Sequence, residues 1–214
     1  MSIGIIGAGV LGSNIARAFA RAKIPAMISN GRGPESLAEL VGELGPGIRA
    51  ATTQDAAKAD IVVLAVRWAD LKKILGGMPA WNGRIVVDGT NPVEWLEPNS
   101  AEAKDPANPL AVFGLKAVDL GGRYSSGVVR DLVPGARLVK AFNHLNVKLL
   151  PEPPTSAGPR VLFYSGDDAD AKAAVRQIIE KMGFFPIDLG PLDIGGPLAS
   201  SPFGALAGMT LVKS

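Results

Sequence analysis

The feature that most constrains the fold is a glycine-spaced turn near the start of the chain. An apolar run at residues 3–6 leads directly into Gly7-Ala8-Gly9-Val10-Leu11-Gly12, and a helical pattern follows. In such a strand–turn–helix unit, the first glycine permits the tight turn, the second lets a pyrophosphate approach the backbone, and the third lets the helix pack on the strand. Free N–H groups at the helix start then bind phosphate. The pattern predicts dinucleotide binding, although the same glycines could form a turn without a ligand.

The first 90 residues alternate short apolar segments with helical ones. Segments that are apolar throughout suit a parallel sheet covered on both faces, and helices between them imply right-handed crossovers. We therefore predict an α/β fold, a Rossmann-type doubly wound parallel sheet with a small C-terminal strand–helix–strand extension. The predicted strands are residues 2–6, 26–29, 49–51, 61–65 and 85–88, and the predicted helices are residues 11–22, 34–44, 54–59 and 68–76.

The pattern changes after residue 88. Residues 89–122 contain several prolines and little periodicity, so we interpret them as a long loop that forms a wall or lid over the ligand crevice. Trp95 and Phe113 within this loop could reshape the acceptor pocket. The remaining predictions are a helix at residues 125–132, a strand at 137–141, a short helical piece after Asn143, a linker at 151–159, strands at 161–165 and 184–188 around a helix at 169–182, a Gly- and Pro-rich tail at 190–202, and a last apolar piece that forms a short helix. This divides the chain into a nucleotide-binding domain (1–150) and a small α/β extension packed on it (151–214).

Composition narrows the range of functions. The 22 Lys and Arg residues nearly balance 20 Asp and Glu residues, which argues against nucleic acid or an anionic membrane as a partner. Cysteine is absent, and His144 is the single histidine, so a metal centre is not expected. No apolar run approaches the ~18 residues of a membrane span, and the N-terminus carries no basic leader. We expect a cytoplasmic protein.

The end of the second strand indicates which dinucleotide binds. An acidic residue there would favour NAD, whereas a 2′-phosphate needs donors and positive charge. Here Ser29 and Asn30 can donate hydrogen bonds, and Arg32 can form a two-pronged contact. NADP is therefore predicted, the alternative being that Arg32 is a solvent-exposed loop residue.

Two later strand ends complete the predicted crevice. Small residues and backbone groups in the segments 65–68 and 89–92, including Val66, would hold the ribose and the nicotinamide, and Asn91 could orient the carboxamide. Trp68 could pack at a helix start or contact the cofactor. Arg67 could meet a cofactor phosphate or be solvated.

The sequence offers few groups for acid–base chemistry. Reduction of a ketone or imine usually needs a positioned proton donor. No tyrosine is followed by a lysine four residues later, which leaves His144 as the conventional candidate. Acceptors that take hydride at a conjugated ring need only to be held face to face with the nicotinamide.

Seven segments, in order along nearly the whole chain, carry a family resemblance. The sequence resembles NADPH-dependent reductases of coenzyme F420, a deazaflavin, and is particularly similar to the short bacterial members. The matching segments are GAGVLG (7–12), SNGRGPESL (29–37), DGTNP (88–92), VKAFN (139–143), VLFYSGDD (161–168), DLGPL (188–192) and GGPLA (195–199).

The resemblance implies hydride transfer between nicotinamide C4 and deazaflavin C5, with no catalytic side chain acting as acid or base. It also implies that the segment around residues 192–198 helps cover the second cofactor, across a dimer. The residues it places on NADP are Ala8, Val10, Leu11, Ser29 and Arg32, and those it places near the nicotinamide are Asn91, Pro92, Ala141, Phe142 and Asn143.

The sequence thus predicts an NADP(H)-dependent oxidoreductase whose small-molecule redox acceptor is F420 or a flavin such as FMN or FAD, acting as a homodimer. Two alternatives stay open. One is an NADPH-dependent reductase of a small carbonyl or imine with His144 as proton donor. The other is a non-catalytic module that senses NADPH.

Overall fold

The computed structural model describes residues 1–152 and 154–214 as an α/β structure. Ten strands are found in this part of the chain: β1 (Ile3–Ile6), β2 (Ala26–Ser29), β3 (Ile48–Ala50), β4 (Ile61–Leu64), β5 (Ile85–Asp88), β6 (Val93–Trp95), β7 (Leu115–Ala117), β8 (Arg137–Ala141), β9 (Val161–Gly166) and β10 (Phe185–Asp188). The α-helices are α1 (Val10–Arg21), α2 (Ala38–Leu44), α3 (Thr53–Ala56), α4 (Leu71–Leu75), α5 (Ser125–Leu132), α6 (Ala169–Lys181) and α7 (Leu192–Ala199).

Eight strands form one sheet in the order β10-β9-β8-β5-β4-β1-β2-β3. Neighbouring strands are parallel except β8 and β9, which pair antiparallel. The chain moves outward from β1 to β3 and then returns to place β4 on the other side of β1. A ligand crevice is expected at such a reversal, beyond the carboxyl ends of the strands. The predicted Rossmann-type fold is confirmed.

The central strands are buried on both faces, which explains their unbroken apolar sequences. Successive side chains point to opposite faces, so Ile5 belongs to the apolar cluster under α1 and α6, and Ile6 to the cluster under α4 and α5. Val63 and Val62 divide in the same way. Both faces therefore pack against helices, as a parallel sheet requires.

Most predicted elements are present with small shifts at their ends. The predicted helix at 34–44 is a 3₁₀ turn (Pro34–Leu37) followed by α2, and the one at 68–76 is a 3₁₀ turn (Trp68–Asp70) followed by α4. The predicted helix at 54–59 is only the single turn α3. After Asn143, the short helical piece is a 3₁₀ turn at Val147–Leu149.

Three predictions were wrong. The last apolar piece forms no helix, because the chain after α7 contains turns and an isolated bridge between Val212 and Arg160. Residues 89–122 are not a loop throughout, because β6 and β7 pair antiparallel within them. Each strand has only three residues, too few to show an alternating pattern. The tail at 190–202 contains α7, whose glycines let it lie against β9: a Cβ on Gly195 would come within 2.6 Å of the Ser165 Cβ. Composition suggested a loop where close packing needs small residues.

The predicted C-terminal unit continues the main sheet, because β9 pairs with β8 and β10 pairs with β9. The domain boundary near residue 150 stays a prediction. Within the predicted linker at 151–159, residue 153 lies outside the described residues, and Thr155 forms an isolated bridge with Gly158. Over the described ranges, no helix combines the length and apolar character needed to span a bilayer.

Candidate functional site

The turn between β1 and α1 exposes the start of a helix. Gly7 adopts a φ of +108°, which few L-residues tolerate, and its N–H donates to Ser29 O on β2 (3.0 Å). Gly9 is the N-cap of α1 and supplies no side-chain cap, and no acidic residue lies in the first turn. The first N–H groups of α1 therefore have no side-chain partner and suit an anion.

The three glycines of the turn differ in what a side chain would meet. A Cβ on Gly12 would lie 1.8 Å from Gly7 O, and one on Gly7 would lie 2.3 Å from Ala65 O. A Cβ on Gly9 would meet no atom within 4 Å. Protein packing thus requires Gly7 and Gly12, whereas Gly9 leaves open space above the helix start. That space fits the pyrophosphate of a dinucleotide.

The end of β2 departs from the sequence prediction at one residue. The Ser29 hydroxyl is fully buried and donates to Ile5 O (3.1 Å), so it is not available to a phosphate, contrary to the prediction. Asn30 organises the loop: its Nδ2 donates to Ser36 Oγ (2.9 Å), and its Oδ1 accepts from Arg32 N (2.9 Å). Arg32 is exposed, which leaves its guanidinium accessible for the predicted phosphate contact.

A first cavity, of about 490 Å³, opens beside this turn and is here called the nucleotide cavity. It includes Thr53, whose hydroxyl contacts Asn30 O (3.4 Å), and Lys73 from α4. Lys73 was not predicted, because its position on the sequence gives no sign that α4 reaches the crevice. The remaining lining residues are Ile6, Gly7, Gly9, Asn30, Gly31, Ala65, Val66, Arg67, Asp70 and Ile74.

A second cavity, of about 550 Å³, continues from the first and is here called the acceptor cavity. The two share Gly9, Ala65, Val66 and Arg67. Among the described residues of this second lining, Arg67 carries the one charged side chain, and its Nε contacts Asp70 Oδ2 (2.8 Å). The other residues lining it are Val10, Leu11, Trp68, Gly89, Thr90, Asn91, Val93, Trp95, Phe142, Asn143 and Val147.

The predicted site residues therefore fall into two groups, those that line a cavity and those that do not. Gly7, Gly9, Val10, Leu11, Asn30, Val66, Asn91, Phe142 and Asn143 line one or both cavities. Ala8, Gly12, Ser29, Arg32, Pro92 and Ala141 line neither. Trp68 belongs both to the acceptor cavity and to the packing of the core beneath it. Of the two aromatic residues predicted to shape the acceptor pocket, Trp95 lines the acceptor cavity and Phe113 does not.

Two asparagines join the strand ends at the floor of the acceptor cavity. Asn91 Nδ2 donates to Asn143 O (2.8 Å), and Asn143 Nδ2 donates to Asn91 Oδ1 (3.1 Å) and to Ala199 O (3.0 Å). The N–H of Ser201 also donates to Asn91 Oδ1 (3.0 Å). The Asn91 amide, predicted to orient a carboxamide, is thus engaged in holding the β5, β8 and α7 ends together.

A buried ion pair supports this floor. Lys140 Nζ contacts Asp88 Oδ2 (2.9 Å) and also donates to Thr90 O. Asp88 further accepts from the Thr90 N–H (2.9 Å) and hydroxyl (2.7 Å), and the Ser126 hydroxyl lies 3.3 Å away. Both charged side chains are almost completely buried. The pair therefore fixes the loop that follows β5.

Phe142 follows β8 in a strained conformation. Its φ is +67°, which costs a non-glycine residue about 1–3 kcal/mol and persists only where surrounding contacts enforce it. Phe142 is buried, and it lies between the ion pair at Lys140 and the bonded amide of Asn143. This backbone conformation makes the chain turn beneath the acceptor cavity.

His144 is not placed to donate a proton to a substrate. It is buried, it does not line the acceptor cavity, and its ring meets Phe163 edge to face at 4.7 Å between centroids. Burial lowers the pKa of the imidazole from its usual value to about 4. Within the described residues, neither ring nitrogen has a hydrogen-bond partner. Also within them, no group of three or more His, Asp or Glu residues could hold a metal ion.

Fold, glycine turn and paired cavities together define a dinucleotide-binding oxidoreductase class. The model of the family described as "NADP oxidoreductase coenzyme F420-dependent" matches residues 2–92. This match places residues 2–92 in that family of NADP oxidoreductases, as the resemblance indicated. The match covers the nucleotide turn and the β5 end but not the segments after residue 92.

Several solved structures are similar to this chain. A hypothetical protein of Sinorhizobium meliloti is 39% identical, with 100% of this chain and 97% of that chain covered and a TM-score of 0.86. An Arthrobacter sp. FB24 protein, provisionally described as an F420-dependent NADP reductase, has the same fold at 24% identity (90% and 86% covered, TM-score 0.64). A reductive aminase of Aspergillus terreus, solved with NADPH and ethyl 5-oxohexanoate, has the same fold at 19% identity (93% and 57% covered, TM-score 0.60).

The metalloreductase STEAP3 of Rattus norvegicus is 25% identical over 192 residues, which cover 89% of this chain. The chain spans about a third (34%) of the length of that relative and 57% of the reductive aminase.

Proposed function

We propose that this protein transfers hydride between NADP(H) and the conjugated ring of a deazaflavin such as F420 or of a flavin such as FMN or FAD. The observation that carries the proposal is the chemistry of the acceptor cavity. Among the described residues that line it, none has a carboxyl, imidazole, phenol or amine side chain. Thr90, its one hydroxyl residue, already donates to Asp88.

This lining favours a ring over a carbonyl. Hydride addition to a carbonyl or imine develops charge on one heteroatom, which a positioned acid must neutralise. A conjugated ring spreads that charge over several atoms, so the protein needs only to hold two rings together and exclude water. The lining is mostly apolar, with two asparagines and Arg67, whose guanidinium is paired with Asp70 (2.8 Å) and stays protonated, so it cannot serve as a proton donor. Such a lining suits the holding of two rings better than the protonation of a carbonyl or imine.

The nucleotide end supports NADP(H) as the dinucleotide that exchanges hydride with the ring. The open space above Gly9 and the unpartnered start of α1 would hold the pyrophosphate, and Arg32 would contact the 2′-phosphate. Lys73 adds positive charge to the nucleotide cavity. The chain's own contribution is thus to bind and orient.

The test is NADPH oxidation by the purified protein with F420, FMN and FAD, beside a panel of small carbonyls and imines. Stoichiometric oxidation with a ring acceptor, unchanged in His144→Ala, supports the proposal. Oxidation only with the carbonyl or imine panel, abolished in His144→Ala, would instead identify a reductase that uses this histidine. Tight NADPH binding without turnover on any acceptor would indicate a sensing module. The homodimer and the cytoplasmic location stay predictions.

A further inference from the structure

The β6–β7 hairpin (residues 93–117) places one large aromatic side chain at the rim of the acceptor cavity. Trp95, the last residue of β6, is 66% exposed and also lines the cavity. Val93 of the same strand lies deeper and is partly buried. An exposed indole beside an apolar cavity leaves an aromatic surface in water that a ligand can cover.

The hairpin holds Trp95 in a defined position. Trp95 pairs with Leu115 across the two strands, and the Leu96 N–H donates to Gly114 O (2.8 Å). Leu96 and Leu110 are buried beneath the hairpin. The backbone that carries the indole is thus preorganised, so little backbone entropy is lost when a ligand covers the side chain.

Ion pairs on the other face of the hairpin also hold it in position. Lys116 Nζ lies 3.2 Å from Glu102 and 3.7 Å from Glu94, and the Val118 N–H donates to Pro92 O (2.9 Å) where the hairpin leaves the sheet. These contacts tie the hairpin to itself and to the β5 end. They place no charged group of the hairpin in the lining of the acceptor cavity.

A second exposed aromatic side chain provides a comparison within the same hairpin. Phe113 is 68% exposed, close to the value for Trp95, but it does not line the acceptor cavity. Exposure alone therefore does not distinguish the two residues. Their positions relative to the cavity do.

We propose that Trp95 is the specificity-determining residue for the acceptor and that its indole stacks on a planar aromatic system of at least two fused rings. The inference rests on the proposed function and adds the class of acceptor and the residue that selects it. The indole face gains by stacking on a wide π-surface, whereas a small carbonyl or imine covers little of it. Trp95 thus favours a fused-ring acceptor over a small one.

The experiment compares Trp95→Ala, Trp95→Phe and the control Phe113→Ala with the wild-type protein. FMN and F420 serve as probes, and the quenching of their fluorescence is titrated with NADP⁺-loaded protein. We expect Trp95→Ala to weaken probe binding and raise the acceptor KM about tenfold, with the NADPH Kd unchanged. Trp95→Phe should recover most of the loss, and Phe113→Ala should behave as wild type.

Three outcomes would overturn the inference. In the first, Trp95→Ala and Phe113→Ala have equal effects on probe binding and KM while NADPH and a ring acceptor still react. In the second, Trp95→Ala changes the oligomeric state by light scattering and leaves the KM unchanged, which would assign Trp95 to contact with a second copy. In the third, wild-type protein binds NADPH but neither probe, and this outcome overturns the proposed acceptor as well.

Discussion

The two ends of the crevice are built by different means. The anion site of the nucleotide end comes from one contiguous segment, residues 7–12, in which backbone conformation and missing side chains leave the first helix N–H groups without a side-chain partner. The acceptor cavity is lined by separate segments: the start of α1, the β4 end, the β5 end, the β6–β7 hairpin and the chain after β8. Its floor depends on a buried ion pair and two mutually bonded asparagines. Local geometry therefore determines the first end, and long-range side-chain contacts determine the second.

The largest effect is expected at the buried ion pair. Lys140→Met leaves Asp88 charged and buried without its partner, so we expect the free energy of unfolding to fall by about 3–5 kcal/mol. Lys58→Met is the matched control, because Lys58 pairs with Asp55 at the surface (2.8 Å) and should cost less than about 1 kcal/mol. Urea unfolding of both variants measures the difference. Equal losses would show that the acceptor end does not depend on this pair.

Two glycine variants distinguish an effect on stability from an effect on NADPH affinity at the nucleotide end. Gly12→Ala drives a Cβ against Gly7 O, so we expect a loss of about 3 kcal/mol of stability. Gly9→Ala meets no protein atom and should cost less than about 1 kcal/mol, while its methyl group fills the space for the pyrophosphate. Its NADPH Kd should rise about tenfold or more. Calorimetric unfolding and NADPH titration test both, and normal NADPH affinity in Gly9→Ala would contradict the assignment.

Acid should lower the free energy of unfolding through His144, which lies behind the acceptor end. Its pKa is about 4 in the folded protein and near the ordinary value of 6.5 when unfolded, so the unfolded chain binds more protons between these values. The contribution of His144 to the free energy of unfolding is therefore constant above about pH 6.5 and declines as the pH falls toward 4, by about 3 kcal/mol in all. Unfolding curves of wild type and His144→Phe, compared over this window, isolate the contribution. If the stabilities of wild type and His144→Phe changed in parallel with pH, the result would argue that His144 is accessible to water.

The smallest effect sharpens the choice of nucleotide. Arg32→Ala should weaken NADPH by about 1.5–3 kcal/mol and leave NADH nearly unchanged, because only NADPH carries the 2′-phosphate. Arg49→Ala, an exposed arginine of β3 outside both cavities, is the control and should change neither affinity. Titration calorimetry with both nucleotides measures the two values. Equal losses with NADPH and NADH would remove Arg32 from phosphate recognition.

The sequence predicted the elements that short-range patterns encode. The glycine turn, α1 and the apolar strands were readable because neighbouring residues determine them. Lys73 was not assigned to the site, because nothing near it in the sequence shows that α4 borders the crevice. Trp95 and Phe113 were both expected near the acceptor, and only the hairpin pairing decides that Trp95 alone of the two lines the cavity. Ser29 was assigned to phosphate on its position at a strand end, but the hydroxyl bonds to Ile5 O inside the sheet. His144 was kept open as an acid because its burial depends on Phe163, nineteen residues further along the chain.

By itself, then, the sequence determined the α/β alternation and the nucleotide turn, since both depend on contiguous residues and on the periodicity of buried side chains, while the family followed from the resemblance of seven segments. Only the tertiary structure decided what faces the acceptor. The Asp88–Lys140 pair, the strained turn at Phe142 and the Asn91–Asn143 bonds each join residues that strand order brings together. Their energies come from burial, and burial exists only once the sheet has formed.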